Sequence, residues 1–123
     1  MSKNNLYKGF EVELFTGSSN SHIGVSAEIE KIFSNFVKEP DNRNVEYITI
    51  PDKDYECLHE KLITPRKKLR QWLKKKGLTI LPSSTLCFKH DIQFQRSDID
   101  NVYHQFIQDS YGISIATSSV HIN

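Results

Sequence analysis

The stretch GFEVELF, residues 9–15, alternates between two chemically different faces. Phe10, Val12 and Leu14 fall on one face and Glu11 and Glu13 on the other, which is the pattern of a half-buried β-strand. Glutamate is disfavoured in strands, and two carboxylates that share a face repel each other. A bound cation is the simplest agent that offsets this repulsion, so the stretch predicts a strand that carries part of a cation site.

Hydrophobic periodicity and capping signals predict the order strand, helix, strand, helix, strand, helix, strand. The segments are a strand at 8–16, helices at 26–36 and 54–77, a strand at 45–50, a short strand at 78–81, a helix at 100–112 and a strand at 113–123. Five residues are expected to delimit the helices: Ser26, Asp54 and Asp100 as N-caps, and Gly77 and Gly112 as stops. Pro65 is expected to kink or split the long helix.

The predicted strands are half-polar and lack the continuous apolar runs of a buried parallel sheet. We therefore expect an α+β fold, with a mostly antiparallel sheet, helices on one face and a polar, ligand-binding face opposite. The 123 residues fit one domain, and a net charge of +1 does not predict a polyanionic partner. No apolar run reaches the ~18 residues that a membrane span needs.

Two cysteines, Cys57 and Cys87, are spaced without a CxxC motif. This spacing, together with the absence of an apolar signal core at the N-terminus, favours a reduced, cytoplasmic chain. A regulatory disulfide between the two cysteines stays open, because the sequence does not show whether they approach each other.

Further acidic and polar residues fall on other predicted strands. Glu46 lies at the start of the strand at 45–50, and His121 and Asn123 share one face of the last strand. If these strands adjoin, one face carries several carboxylates and an imidazole. Mg²⁺ prefers hard oxygen ligands and often shares phosphate oxygens, so the pattern suits a site in which metal ions bridge protein and nucleotide phosphates. The alternative is that each glutamate simply faces solvent.

A basic helix offers a second functional interpretation. The stretch PRKKLRQWLKKK, residues 65–76, is typical of a nucleic-acid-binding stripe with Trp72 as a stacking group. Leu69, Trp72 and Leu73 share one helix face, however, which favours a buried tryptophan and a solvated basic face. We therefore expect no nucleic-acid partner.

Four segments together resemble one enzyme family. KGFEVELFTG, KEPDNRNVEYITIP, LPSSTLCF and FQRSDIDNVYHQFIQDSYGISIATSSVHIN, which span Lys8 to Asn123, look like the N-terminal third of glutamate–cysteine ligase. The resemblance is to the cyanobacterial-type branch of the carboxylate–amine ligase superfamily. Each motif alone is weak, but four in the family's order and spacing are specific.

The resemblance implies a curved, mostly antiparallel sheet similar to that of glutamine synthetase. It implies that ATP phosphorylates the γ-carboxylate of L-glutamate and that the amine of L-cysteine then displaces phosphate, which is the first step of glutathione synthesis. The implied cofactor is Mg²⁺, with Mn²⁺ as a substitute. The implied metal and catalytic residues are Glu11, Glu13, Glu46 and His121, and the implied substrate-binding residues are Glu39, Asn123, Tyr103 and Ile107.

Relatives in this family continue for at least twice this length, and the chain stops inside a predicted strand. We therefore expect residues 1–123 to be the N-terminal portion of one catalytic domain, whose remainder supplies further metal ligands and the adenine contacts. Two other interpretations stay open: a related ligase with a different amine acceptor, and a non-catalytic domain that keeps a metal or nucleotide site.

Overall fold

The computed structural model describes residues 6–19, 21–82 and 95–111, together with the backbone of residues 120–122. Within these residues the chain forms six strands and three helices. In chain order they are β1 (Phe10–Ser18), β2 (Ser21–His22), α1 (Ser26–Ile32), β3 (Phe36–Lys38), β4 (Asn44–Ile48), α2 (Tyr55–Lys75), β5 (Thr79–Leu81), α3 (Val102–Tyr111) and β6 (Val120–Ile122).

Strand β1 is the centre of the sheet. It pairs with β4 along residues 11–15, and β3 continues the sheet beyond β4. On its other side β1 pairs with β6 at residues 10–12 and with β5 at residues 15–17, while β2 folds back on its C-terminal end as a hairpin. Every one of these pairings is antiparallel, which confirms the predicted α+β fold with an antiparallel sheet.

The core lies on one face of this sheet. Val12, Val45 and Tyr47 of the strands pack against Ile29 of α1 and Leu69 of α2, and each of these side chains is at most 4% exposed. Helices α1 and α2 therefore cover the same face, as predicted. The alternation of β1 and β4 then turns Glu11, Glu13 and Glu46 to the opposite face.

Helix α2 forms largely as the sequence predicts. Asp54 is its N-cap and accepts a hydrogen bond from the Glu56 N–H at 2.9 Å, and Gly77 follows it in the left-handed region, at φ +72°. The helix runs through Pro65 as one element. The Tyr47 hydroxyl donates to the Leu62 carbonyl in the turn before the proline, at 2.5 Å. Burial also raises the pKa of Tyr47.

The basic half of α2 has the arrangement expected of a solvated face. Leu69 and Leu73 are fully buried, and Trp72 packs beside them while the Lys76 ammonium lies 4.8 Å from its ring centroid. The basic side chains on the outside are exposed: Arg66, Lys67, Lys68, Arg70, Lys74, Lys75 and Lys76.

The predicted helix at 26–36 is wrong in its second half. Helix α1 ends at Ile32, and Phe36 begins β3, an edge strand that the sequence pattern did not indicate. Ile32 is 52% exposed, so the apolar spacing that suggested a longer helix is only partly a core face. Phe36 instead packs in the sheet against the Tyr47 ring, with centroids 5.4 Å apart.

Two predicted N-caps are also wrong. Ser26 lies in the first turn of α1 rather than before it, and its hydroxyl accepts from the Glu39 N–H at 3.1 Å. Helix α3 begins at Val102, and the side chain of Asn101, not Asp100, accepts from the His104 N–H at 2.9 Å. Gly112 and residues 113–119 of the predicted last strand lie outside the described residues.

Candidate functional site

The sheet register brings the predicted strand carboxylates together. Glu13 and Glu46 are directly opposite each other across the β1–β4 pair, and Glu11 is two residues from Glu13 on the same face. His121 of β6 is the register partner of Glu11 on the other side of β1. Four residues predicted from three separate strands therefore converge on one region of the sheet. Asn123, the fifth polar residue of this prediction, lies outside the described residues.

Glu39 joins this group from outside the sheet. It follows β3 in an irregular segment, residues 39–43, that leads back to β4. One carboxylate oxygen from each of Glu13, Glu39 and Glu46 lies within 4.8 Å of the other two, and all three side chains are half-buried. We call this set the carboxylate triad. The resemblance implied that Glu39 lies near both the metal and the amino-acid site, and the structure places it beside the residues predicted as metal ligands.

Within the triad, Glu39 has a strongly perturbed protonation equilibrium. Burial, a hydrogen bond with Glu46 and the charges of Glu46, Glu13 and Glu11 raise the pKa of Glu39 to about 9, in that order of importance. Negative charges that lie so near one another in a half-buried position repel strongly. The protein reduces this repulsion by keeping a proton on Glu39. A divalent cation relieves the same repulsion by replacing that proton.

The donor set fits a hard divalent cation. The ligand atoms on offer are carboxylate oxygens, which suit Mg²⁺ and Mn²⁺. An ion held by two or three carboxylates keeps coordination positions for water or for phosphate oxygens. Such an arrangement can bind a nucleotide phosphate at the surface of the sheet and neutralise charge that develops there.

The two predicted pocket residues lie on a separate element. Tyr103 and Ile107 are on α3, which is not part of the sheet. Tyr103 is 68% exposed and its ring lies near that of His104, while Ile107 is half-buried. The described residues therefore bring the strand acids and Glu39 together, but they do not join Tyr103 or Ile107 to them.

The sequence prediction left out one residue on the acidic face. Asn44 precedes Glu46 by two residues, so both lie on the same face of β4. It is 5% exposed, and in the described part of the chain its Oδ1 atom has no hydrogen-bond partner. Starting the alternation of β4 one residue earlier would have included this amide.

Comparison with known proteins adds a family and a fold. The family model of glutamate-cysteine ligase family 2 matches residues 7–123. No protein in a curated set matches the chain. The fold is similar to that in the crystal structure of a bifunctional glutathione synthetase from Pasteurella multocida, with a TM-score of 0.71 and 16% sequence identity.

The structural match covers 94% of this chain and 16% of that chain, so this chain spans about a sixth of the length of its structural relative. At this identity the likeness concerns the fold.

In the described residues, no helix combines the length and apolar character that crossing a membrane requires.

Proposed function

Because the chain belongs to glutamate-cysteine ligase family 2, we propose that it is the N-terminal, metal-binding part of a ligase that joins L-glutamate to L-cysteine. In this proposal ATP phosphorylates the glutamate γ-carboxylate, the cysteine amine attacks γ-glutamyl phosphate, and γ-glutamylcysteine and phosphate leave. This is the first step of glutathione synthesis, and we expect it to take place in the cytoplasm.

The observation that carries the proposal is the carboxylate triad with Glu11 beside it. Phosphoryl transfer depends on positioning and on charge neutralisation more than on covalent chemistry by the protein. Carboxylates that converge from two strands and a loop would hold Mg²⁺, or Mn²⁺, at this face of the sheet. Bound divalent ions would supply the positive charge that the phosphates require.

Each predicted residue has a role in this proposal. Glu11, Glu13, Glu46 and His121 would hold the metal ions, which would neutralise the charge of the phosphates. Glu39 contributes to both the metal and the amino-acid site, and Asn123 accompanies His121. Tyr103 and Ile107 are proposed to line the cysteine pocket. The proposed remainder of the domain would complete that pocket.

Metal binding by the chain itself is the direct test. We expect Mn²⁺, followed by the loss of its free-ion electron paramagnetic resonance signal, to bind the wild-type protein. Glu13→Gln and Glu46→Gln should each weaken that binding by about tenfold or more, because each removes a charged ligand. Glu60→Gln, which changes an exposed glutamate on α2, is the matched control and should bind like the wild type.

Wild-type protein that binds no Mn²⁺, or a Glu60→Gln variant that loses as much as Glu13→Gln, would contradict the proposal. Incubation of the chain with ATP, glutamate and cysteine should release little phosphate, since the proposed remainder of the domain is required. Metal binding without turnover in a longer version of the protein would favour the non-catalytic alternative. Turnover there with another amine would identify a related carboxylate–amine ligase.

A further inference from the structure

Glu39 is held by hydrogen bonds on both sides of its α-carbon. Its N–H donates to the hydroxyl of Ser26, and its carbonyl accepts from the hydroxyl of Ser97. Ser26 is 1% exposed and begins α1, whereas Ser97 is half-buried and lies far along the chain, just before α3. Two serines from separate elements therefore fix the backbone of one member of the carboxylate triad.

Ser97 belongs to a segment that is tied to the Glu39 loop at several points. The Ser97 N–H donates to the Pro40 carbonyl at 3.2 Å, and the Gln95 N–H donates to the Asp41 carboxylate at 3.3 Å. In return the Asn42 N–H donates to the Gln95 carbonyl at 2.6 Å. These bonds join residues that are more than 50 positions apart in sequence, so the contact is tertiary rather than local.

The Lys38–Asp98 ion pair adds a further link between the Glu39 loop and the Ser97 segment, with the Lys38 Nζ 3.0 Å from an Asp98 oxygen. Both partners are partly exposed, so the pair itself contributes little stability. The ion pair is informative because of its position: it joins the residue before Glu39 to the residue after Ser97.

A loop carboxylate needs such support more than a strand carboxylate does. Glu13 and Glu46 are fixed by the ladder of the sheet, but Glu39 lies in an irregular segment beside these two carboxylates. Once Glu39 gives up its proton to bind a metal, repulsion by Glu13 and Glu46 would favour rotation of the loop away from the strands unless its peptide groups were fixed. Residues outside the ligand set that orient a ligand in this way commonly change metal affinity when they are replaced.

We propose that Ser97, together with Ser26, is a positioning residue that fixes Glu39 for divalent-metal binding. This inference rests on the proposed function and assigns to the segment before α3 a part in the site. Ser97 does not touch the metal or the substrate in this assignment; it acts through the Glu39 carbonyl. The prediction is therefore one of coupling between Ser97 and Glu39.

A double-mutant cycle on Mn²⁺ affinity tests this coupling in the 123-residue protein. Ser97→Ala should weaken binding by about tenfold, the usual effect of losing an orienting partner, while Ser97→Thr, which keeps the hydroxyl, should restore it. In a Glu39→Gln background, Ser97→Ala should change the affinity by less than about twofold, because the ligand that it orients is gone. Ser34→Ala, at an exposed serine, is the control.

The outcomes separate the two proposals. If the wild-type protein binds Mn²⁺ and Ser97→Ala binds equally well, or loses tenfold in the Glu39→Gln background too, the positioning role is wrong and the proposed function stands. If the wild-type protein binds no Mn²⁺, both are wrong. If Glu39→Gln abolishes binding, the Mn²⁺ affinities of Ser97→Ala and Ser97→Thr are compared instead. Weaker binding by Ser97→Ala alone supports the positioning role, and equal affinities contradict it. Urea midpoints of all variants show whether a loss reflects unfolding.

Discussion

At the scale of single residues, Glu39 links the acidity of the site to the stability of the fold. Its pKa is about 9 in the folded chain against an ordinary value of 4.5, chiefly because it is buried beside Glu46. Between these two values the folded chain keeps a proton that the unfolded chain releases. The free energy of unfolding must therefore fall as the pH rises through this window.

This linkage makes Glu39→Gln an expected stabilising change in the absence of metal. Gln resembles the protonated carboxyl and can still donate to Glu46, but it releases no proton on unfolding. The wild-type protein should lose on the order of 1 kcal/mol of stability per pH unit between pH 5.5 and pH 8, and the variant should lose much less. Urea unfolding at a series of pH values in the presence of a chelator measures both slopes.

The exposed Glu56→Gln change serves as the comparison and should leave the wild-type slope unchanged. A Glu39→Gln protein that keeps that slope would show that another group holds the proton. Added Mn²⁺ should stabilise the wild type more than the variant, because it takes the place of the proton on Glu39.

The site residues differ in how far the sequence could predict them. The alternation of 9–15 was sufficient to put Glu11 and Glu13 on one face, because a side-chain period of two leaves no other choice. Glu46 shares that face because β1 pairs with β4, and the sequence left this pairing open. Glu39 has no such period, since it lies in a loop, and only the family resemblance indicated it. Its loop, which places it beside Glu13 and Glu46, contacts residues 95–98, and these are so distant in sequence that no local pattern reveals the contact.

At the scale of elements, α1 is capped by a residue from another part of the chain. The Asn42 carbonyl accepts from the N–H groups of Val25 and Ser26, and its side-chain Oδ1 accepts from the Ala27 N–H at 2.9 Å. A Cβ on Gly24 would lie 2.8–2.9 Å from atoms of Asn42, so this close approach requires glycine. The capping bonds thus join α1 to the loop that carries Glu39.

Asn42→Ala should therefore destabilise the protein by about 1 kcal/mol, the usual effect of losing an N-terminal capping side chain. Asn42→Asp keeps an acceptor at the positive end of the helix and should retain most of the stability. The free energy of unfolding in urea is the measurement. An equal loss in both variants would show that the bond to the Ala27 N–H is not what stabilises α1.

This arrangement also explains which elements the sequence could predict. Helix α2 carries its own signals, Asp54 before it and Gly77 after it, and it formed where predicted. Helix α1 carries no such signals, because its capping group comes from Asn42. Its predicted cap, Ser26, bonds to Glu39 instead. Strand β3 is three residues long and depends on β4 for its pairing, so no pattern of its own could reveal it.

At the scale of the whole molecule, apolar residues divide between a buried core and an exposed helix face. The core holds Leu69 and Leu73 of α2, which are fully buried. Helix α3 was predicted as a helix, yet Tyr103 and Phe106, which share one of its faces, are 68% and 62% exposed, and Val102 is 82% exposed. Hydrophobic periodicity predicts that a helix has an apolar face, but not which surface covers that face.

The energetic consequence is a large contrast between two truncations. Leu69→Ala removes a fully buried side chain and should destabilise the chain by about 2–5 kcal/mol, through lost burial and the cavity left behind. Phe106→Ala removes a larger side chain, but one that already faces solvent, and should change the free energy of unfolding by no more than about 0.5 kcal/mol. Urea denaturation at low protein concentration compares the two. A loss of 2 kcal/mol or more in Phe106→Ala would contradict this description, because a side chain that faces water cannot contribute that much. Such a loss would mean that the apolar face of α3 is covered in solution.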